Sequence, residues 1–159
     1  ERETSESLFN KLSMLGTTLL KETLPSIIDK TNPRIPQNTM EVTYAPTIKP
    51  TEELLDFNQS ARTLDAKIRA FYKEPNTYTF IENAKLKVIE ATYHDDLNQG
   101  NVLNGNIIKI DKTGIYVKCE TGVLIFTIVQ LESKNAMPVK DFMNGAGRKL
   151  ISEGVKLGH

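Results

Sequence analysis

The chain has 159 residues, 39% hydrophobic and 25% charged, and its twenty Lys and Arg balance twenty Asp and Glu. That length holds one ordinary domain plus an appendage, and the composition is that of an ordinary globular protein. No apolar run approaches the roughly 18 residues of a membrane span, so no membrane partner is expected, and Glu1-Arg2-Glu3 does not read as a secretory leader.

A single cysteine, Cys119, rules out an intrachain disulfide and suits a reducing compartment, so a cytoplasmic location is expected. The zero net charge conceals an asymmetry. Residues 1–59 carry six Lys/Arg and nine Asp/Glu, a balance of −3, and residues 60–159 carry fourteen and eleven, a balance of +3. The second part leans basic, though less than a dedicated nucleic-acid domain usually does.

Residues 5–24 place Leu8, Leu12, Leu15, Leu19 and Leu20 at helical spacing, which predicts an amphipathic helix. Gly16 inside it costs about 1 kcal/mol relative to Ala, which suggests close packing there. Pro25 either kinks the helix or ends its regular part, with Ile27 and Ile28 available for one more turn. Residues 31–57 read as a linker, because Pro33, Pro36, Pro46 and Pro50 favour extended, semi-rigid chain. Residues 58–159 read as the principal domain. It opens with a helix over 60–72 carrying Ala61, Leu64, Ile68 and Phe71 on one side, with Ser60 as N-cap.

From Thr77 the apolar period becomes two. Residues 77–81, 85–92, 105–110, 114–119 and 123–130 read as five short strands. Their turn signals are Asn83, Asn98-Gln99-Gly100, Asn104-Gly105, Lys112-Thr113-Gly114 and Thr121-Gly122, with residues 111–114 as a hairpin loop. Five short strands at this spacing predict a small open β-barrel of OB-like type, in an α+β, mainly β class. Pro138 then suits the first position of a short helix and Gly145 its C-terminal cap.

Little in this sequence can do covalent chemistry. Two histidines and one cysteine, scattered, make no zinc pattern, and His94 beside Asp95-Asp96 reads as a solvated loop. Gly145-Ala146-Gly147-Arg148-Lys149 lacks P-loop spacing and reads as a helix terminus and tail, with two cations able to touch a phosphate backbone. No catalytic residue, metal site or cofactor of this chain is expected. What remains is cations beside a barrel. Arg62, Arg69 and Lys73 project from the helix before the barrel, Lys85 and Lys87 share one strand face, and Lys134 and Lys140 flank Met137. Phosphate neutralisation by such groups dominates RNA affinity. Arg69 sits among apolar residues and reads either as an RNA ligand or as a structural arginine paired with a carboxylate such as Asp56.

A dispersed set of short motifs then appears in a fixed order: Leu15-Gly16, Thr23-Leu24-Pro25, Tyr44-Ala45-Pro46, Leu55-Asp56-Phe57, Ile68-Arg69-Ala70-Phe71, Gly114-Ile115-Tyr116-Val117, and residues 137–145 from Met137-Pro138-Val139 to Asn144-Gly145. In order and spacing this resembles the C-terminal half of the methionyl-tRNA formyltransferase family, over nearly all of residues 7–150. The resemblance implies that residues 1–30 hold the terminal helix of a preceding formyltransferase domain, whose Asn-x-His and Asp catalytic residues would lie before residue 1. The leucine stripe would then pack on that domain or, in the chain alone, on a second copy.

The resemblance further implies an enzyme that formylates the amino group of methionyl initiator tRNA with 10-formyltetrahydrofolate. This half would position the tRNA through Lys49 in the linker, through Arg62, Lys73, Lys85, Lys87, Lys134 and Lys140, and through Arg148 and Lys149. Departures from the family's pattern are Tyr72-Lys73-Glu74-Pro75-Asn76, which loses a Trp, and Ser133-Lys134-Asn135, which loses a cation. Both bear on how strongly this version would grip RNA. Two other readings stand beside this one. The barrel could belong to a folate-dependent formyltransferase acting on a nucleotide sugar, or it could be a structural module that packs on the catalytic domain.

Overall fold

The computed structural model describes residues 2–95 and 101–158, so the turn signal at residues 98–100, and Asp96 beside His94, lie outside the described residues. The chain divides into two compact units, one formed by residues 6–48 and the other by residues 2–5 together with 49–158.

The first unit is dominated by α1, Ser5–Ile28. The helix runs through Pro25, and Ile27 and Ile28 form its last turn. Beyond it the chain reverses at Lys30, whose φ is 58°, and the Thr31 N–H donates to the Ser26 carbonyl at 2.9 Å. No residue of α1 is buried, and Leu12 and Leu19 are 56% and 63% exposed. The close packing expected at Gly16 is not found, since a Cβ placed there meets nothing within 4 Å. The proline-rich stretch that follows carries one 3-10 turn at Thr39–Glu41, capped by the Asn38 side chain, and a second at Pro50–Glu53.

Among the described residues the second unit is an antiparallel, six-stranded open barrel of the expected OB-like class. Its strands are β1 (Thr77–Ile81), β2 (Ala84–His94), β3 (Ile107–Ile110), β4 (Ile115–Lys118), β5 (Val123–Leu131) and the short β6 (Met137–Pro138). They are ordered β1-β2-β5-β4-β3, with β6 on β5. One strand more is present than the pattern predicted, because two residues carry too little periodicity to be read. β2 is long enough to pair with β1 through Ala84–Val88 and with β5 along most of its length. A register shift around Ile89 and Glu90 bends it as an antiparallel bulge does.

Helix α2, Ala61–Ala70, packs against β2 and β5 and buries Ala61, Leu64 and Ile68. Its Ser60 N-cap accepts from the Thr63 N–H at 3.1 Å, satisfying one of the unpaired donors of the first turn. Pro138 stands one position earlier than expected, as the N-cap residue of α3 (Val139–Asn144), with Gly145 as its C-cap. The short α4, Gly147–Leu150, follows.

Two segments outside the expected elements complete the core. Residues 55–57 fell in the expected linker, yet Leu55 and Phe57 are 2% and 5% exposed, and Leu55 N–H donates to the Tyr78 carbonyl at 2.9 Å. Two apolar side chains next to a barrel edge are drawn into it by burial, worth about 2 kcal/mol each. The C-terminal tail joins the free edges. Ile107 N–H donates to Val155 O, Leu157 N–H to Gly105 O and Gly158 N–H to Phe80 O, at 2.8, 2.9 and 3.0 Å.

Gly114 and Gly16 make opposite demands. A Cβ on Gly114 would lie 2.4 Å from the Phe126 carbonyl oxygen and 2.6 Å from Ile125 Cγ2. Gly114→Ala should therefore cost on the order of 1–3 kcal/mol in urea unfolding of the barrel. Gly16→Ala should strengthen α1 by about 1 kcal/mol, read as increased helical circular dichroism on heating. A neutral Gly114→Ala, or a loss of helix in Gly16→Ala, would contradict this packing.

Candidate nucleic-acid interface

Strand alternation sorts the β1–β2 hairpin into two faces. Thr77, Thr79 and Ile81 point inward with Leu86 and Val88. Tyr78 and Phe80 point outward and are half-buried, as are Lys85 and Lys87. The register sets Tyr78 opposite Lys87, Phe80 opposite Lys85, and Lys87 opposite Gln130 on β5. Lys85 Nζ lies 3.8 Å from the centre of the Tyr78 ring, a cation–π contact, and the Tyr78 and Phe80 rings meet edge to face at 5.5 Å.

The turn after β5 is tied to the same face. Gln130 Nε2 donates to the Lys134 carbonyl at 2.7 Å, and the Glu132 N–H donates to the Lys85 carbonyl at 3.2 Å. Lys85, Lys87 and the Lys134 turn thus stand around one shallow cleft of about 270 Å³, lined by Lys85, Lys87, Gln130, Glu132 and Ser133. Lys140 is exposed on the first turn of α3, directly after β6.

The remaining cations stand on other elements. Arg62 is exposed on α2, Lys73 is exposed in the turn after it with φ of 69°, and Arg148 and Lys149 are exposed on α4. Lys49 is exposed before the 3-10 turn Pro50–Glu53, its N–H donating to Glu52 Oε2 at 2.7 Å.

Arg69 is not paired with Asp56. Its Nε donates to Asp65 Oδ2 at 3.0 Å, and its Nη1 to the Glu3 carbonyl at 2.7 Å. Asp65 is 1% exposed and also holds Arg2, whose Nη2 bonds Asp65 Oδ1 and, at 2.9 Å, the Ala91 carbonyl. One turn of helix separates Asp65 from Arg69, so the partner comes from α2 itself. Asp56 instead accepts the Asn58 N–H at 3.0 Å.

Lys67 Nζ donates to the Leu54 carbonyl at 2.8 Å, and burial lowers its pKa against the pull of Asp56 and Glu52. Cys119 is buried, and desolvation pushes its thiol up to about 11. At neutral pH it is a protonated, unreactive residue directly after β4. Exposed His94 ends β2, and no group of three His, Cys, Asp or Glu gathers as a metal site among the described residues.

The fold and this face define a small OB-type barrel with cations and aromatics on one outer strand face. A family model described as the formyl transferase C-terminal domain matches residues 47–147, and the chain belongs to that family. It is 38% identical over 144 residues to methionyl-tRNA formyltransferase of Streptococcus thermophilus, covering 91% of this chain and 45% of that protein. It is 35% identical over 150 residues to the enzyme of the same name from Streptococcus suis, covering 94% and 47%.

The chain thus spans about half the length of the curated relatives it matches. Among solved structures, a variant of HypX from Aquifex aeolicus shares the fold with a TM-score of 0.68 at 12% identity, covering 94% of this chain and 27% of that one. HypX in complex with tetrahydrofolic acid gives 0.59 at 13%, covering 82% and 23%.

Arg69→Ala should lower stability by about 2 kcal/mol, because it strips a charged hydrogen bond from buried Asp65. Arg69→Lys should restore little, since lysine cannot reproduce the planar fork that reaches Asp65 and Glu3 together. Thermal melts of the three proteins test this. An unchanged melting temperature in Arg69→Ala would make the pair dispensable.

Proposed function

We propose that this chain is the tRNA-positioning part of a methionyl-tRNA formyltransferase. In this reading the whole enzyme transfers a formyl group from 10-formyltetrahydrofolate to the amino group of methionine on initiator tRNA, in the cytoplasm. The observation that carries the proposal is identity of 34–38% to enzymes of that name across at least 91% of the chain. The gathering of Lys85, Lys87 and the Lys134 turn on one barrel face supports it.

The division of labour follows from what the barrel offers. The cleft between the Asp56–Asn58 segment and the tail, lined by Asn104 and Lys156 among others, measures about 230 Å³. That is below the roughly 300–1,000 Å³ of a typical small-molecule site. We therefore assign no chemical step to these residues. Folate binding and formyl transfer are assigned to the remainder of the relatives' length, and the apolar stripe of α1 to packing on that part.

The barrel's contribution is orientation. Cations hold the RNA backbone while the acceptor end reaches the reacting groups, and fixed geometry of this kind can remove several kcal/mol of barrier. Phosphate contacts position RNA without reading its bases. A balance of only +3 over residues 60–159 implies few such contacts.

Binding of initiator tRNA by the chain should therefore be weak and salt-sensitive, with log affinity falling about 0.7–0.9 per log salt for each phosphate neutralised. Lys134→Glu with Lys140→Glu should weaken all tRNAs alike and flatten that slope. Undetectable binding at low salt, or affinity indifferent to both reversals, would make the barrel a structural module instead.

A further inference from the structure

The geometry points to the outer face of the β1–β2 hairpin as a stacking site for unpaired nucleotides of single-stranded RNA, with Tyr78 and Phe80 as the base platform and Lys85 and Lys87 as the phosphate contacts. The inference rests on the RNA-handling reading above and deepens it from charge alone to a specific surface. Fully paired RNA keeps its base faces inside the helix and offers a barrel only phosphates and sugars. Unpaired bases offer π-faces, and proteins take these with aromatic side chains beside a cationic track.

Such a site has three requirements, and this face meets each. Aromatic rings must be reachable, and Tyr78 and Phe80 are half-exposed on a strand whose other side chains are buried in the barrel. The rings must be held in place without help from a ligand. Here they brace each other edge to face at 5.5 Å, on a strand that is hydrogen-bonded to β2 on one side and bridged to Leu54 on the other. Cations must lie about one nucleotide away. Lys85 and Lys87 stand directly across the ladder from Phe80 and Tyr78, and their β-strand spacing of two residues spans about 7 Å, close to the phosphate repeat of an extended strand.

The cation–π contact holds Lys85 over one face of the Tyr78 ring, so a base that stacks on that face displaces the ammonium towards the neighbouring phosphate. Gln130, across from Lys87, adds an amide at the polar margin. Glu132 on the cleft wall opposes phosphate there, which confines the backbone track to the lysine row. Ring faces are common to all four bases, so this site prefers unpaired over paired RNA without choosing a sequence.

The test uses the full chain with end-labelled fluorescent RNAs, whose polarisation reports binding equally in variants that lack Tyr78. Titrations with a single-stranded adenosine octanucleotide, a blunt RNA duplex of equal charge, and initiator tRNA should rank the octanucleotide at least tenfold above the duplex. Tyr78→Leu with Phe80→Leu should lower octanucleotide affinity at least tenfold with an unchanged salt slope, while Tyr78→Phe should keep it. Lys85→Gln with Lys87→Gln should reduce the slope instead. Melting curves check that each variant folds, and a second double variant, Tyr78→Ile with Phe80→Ile, substitutes if the leucine pair does not.

Two results separate this inference from the function it rests on. If tRNA binds but the leucine or isoleucine variant binds every RNA as the parent does, the stacking site is wrong and the tRNA reading stands. If the octanucleotide binds in a ring-dependent way while tRNA does not, the stacking site stands and the tRNA reading fails. Equal affinity for octanucleotide and duplex, or no binding of either, overturns the stacking site.

Discussion

Strand β5 has to hydrogen-bond neighbours along both edges at once, and the barrel depends on that. One edge pairs with β2 over nearly its whole length, from Val123 opposite His94 to Leu131 opposite Leu86. The other edge is divided between β4, at Val123–Phe126, and β6, at Ile128 and Val129. Val123, Leu124, Ile125, Phe126 and Val129 are all buried, and a break in this strand would leave the facing edges of β2, β4 and β6 unpaired. The bulge around Ile89 and Glu90 lets β2 follow β5 and still turn to meet β1. Closing the circle falls to the tail, which joins β3 to β1 through the backbone of Val155, Leu157 and Gly158.

That arrangement decides which surface is left for a ligand. The barrel interior is filled by Phe126, Leu64, Ile81, Leu86 and their neighbours, so nothing can bind inside it. Function must use the outer faces, where alternate residues of each strand emerge. On β1 and β2 those residues are two aromatics and two lysines in register. On the β3–β4 hairpin Lys109 is engaged with Asp111, and Asp111 accepts the Thr113 N–H at 2.8 Å, which orders a turn and leaves the lysine committed. Side-chain hydrogen bonds from Lys109 and Thr113 hold the Asp111 carboxyl well below its usual range, with burial opposing. Lysines of similar appearance in sequence thus differ in role, one group bracing a turn and another lining a cleft.

Period-two alternation made the strands legible, and the N-cap at Ser60 and the Gly145 cap were legible from local chemistry. Three features were not. Leu55 and Phe57 were hidden because they follow a proline-rich stretch whose composition says linker, and two apolar residues show no period. The tail was hidden because Val155 and Leu157 are separated from the barrel in sequence and flanked by glycines. The partner of Arg69, for which Asp56 stood as one example, was hidden because Asp65 occupies a helix position beside the apolar stripe, where a buried carboxylate is costly unless charged donors meet it. Those donors are Arg69 and Arg2, the second from 63 residues away. The aromatic face was within reach of the sequence, since Tyr78 and Phe80 alternate with buried threonines opposite Lys85 and Lys87. Its cross-strand register could not be read without the hairpin turn.

The central claim is that this barrel handles RNA on the outer β1–β2–β5 face. Amide chemical-shift mapping of the isotope-labelled chain during titration with initiator tRNA tests it most directly. The account predicts that shifts concentrate in residues 77–88 and 128–140 and move with salt, while the amides of α1 and of the tail at residues 151–158 stay in place. Shifts centred on α1 or the tail, with residues 77–88 silent, would contradict it.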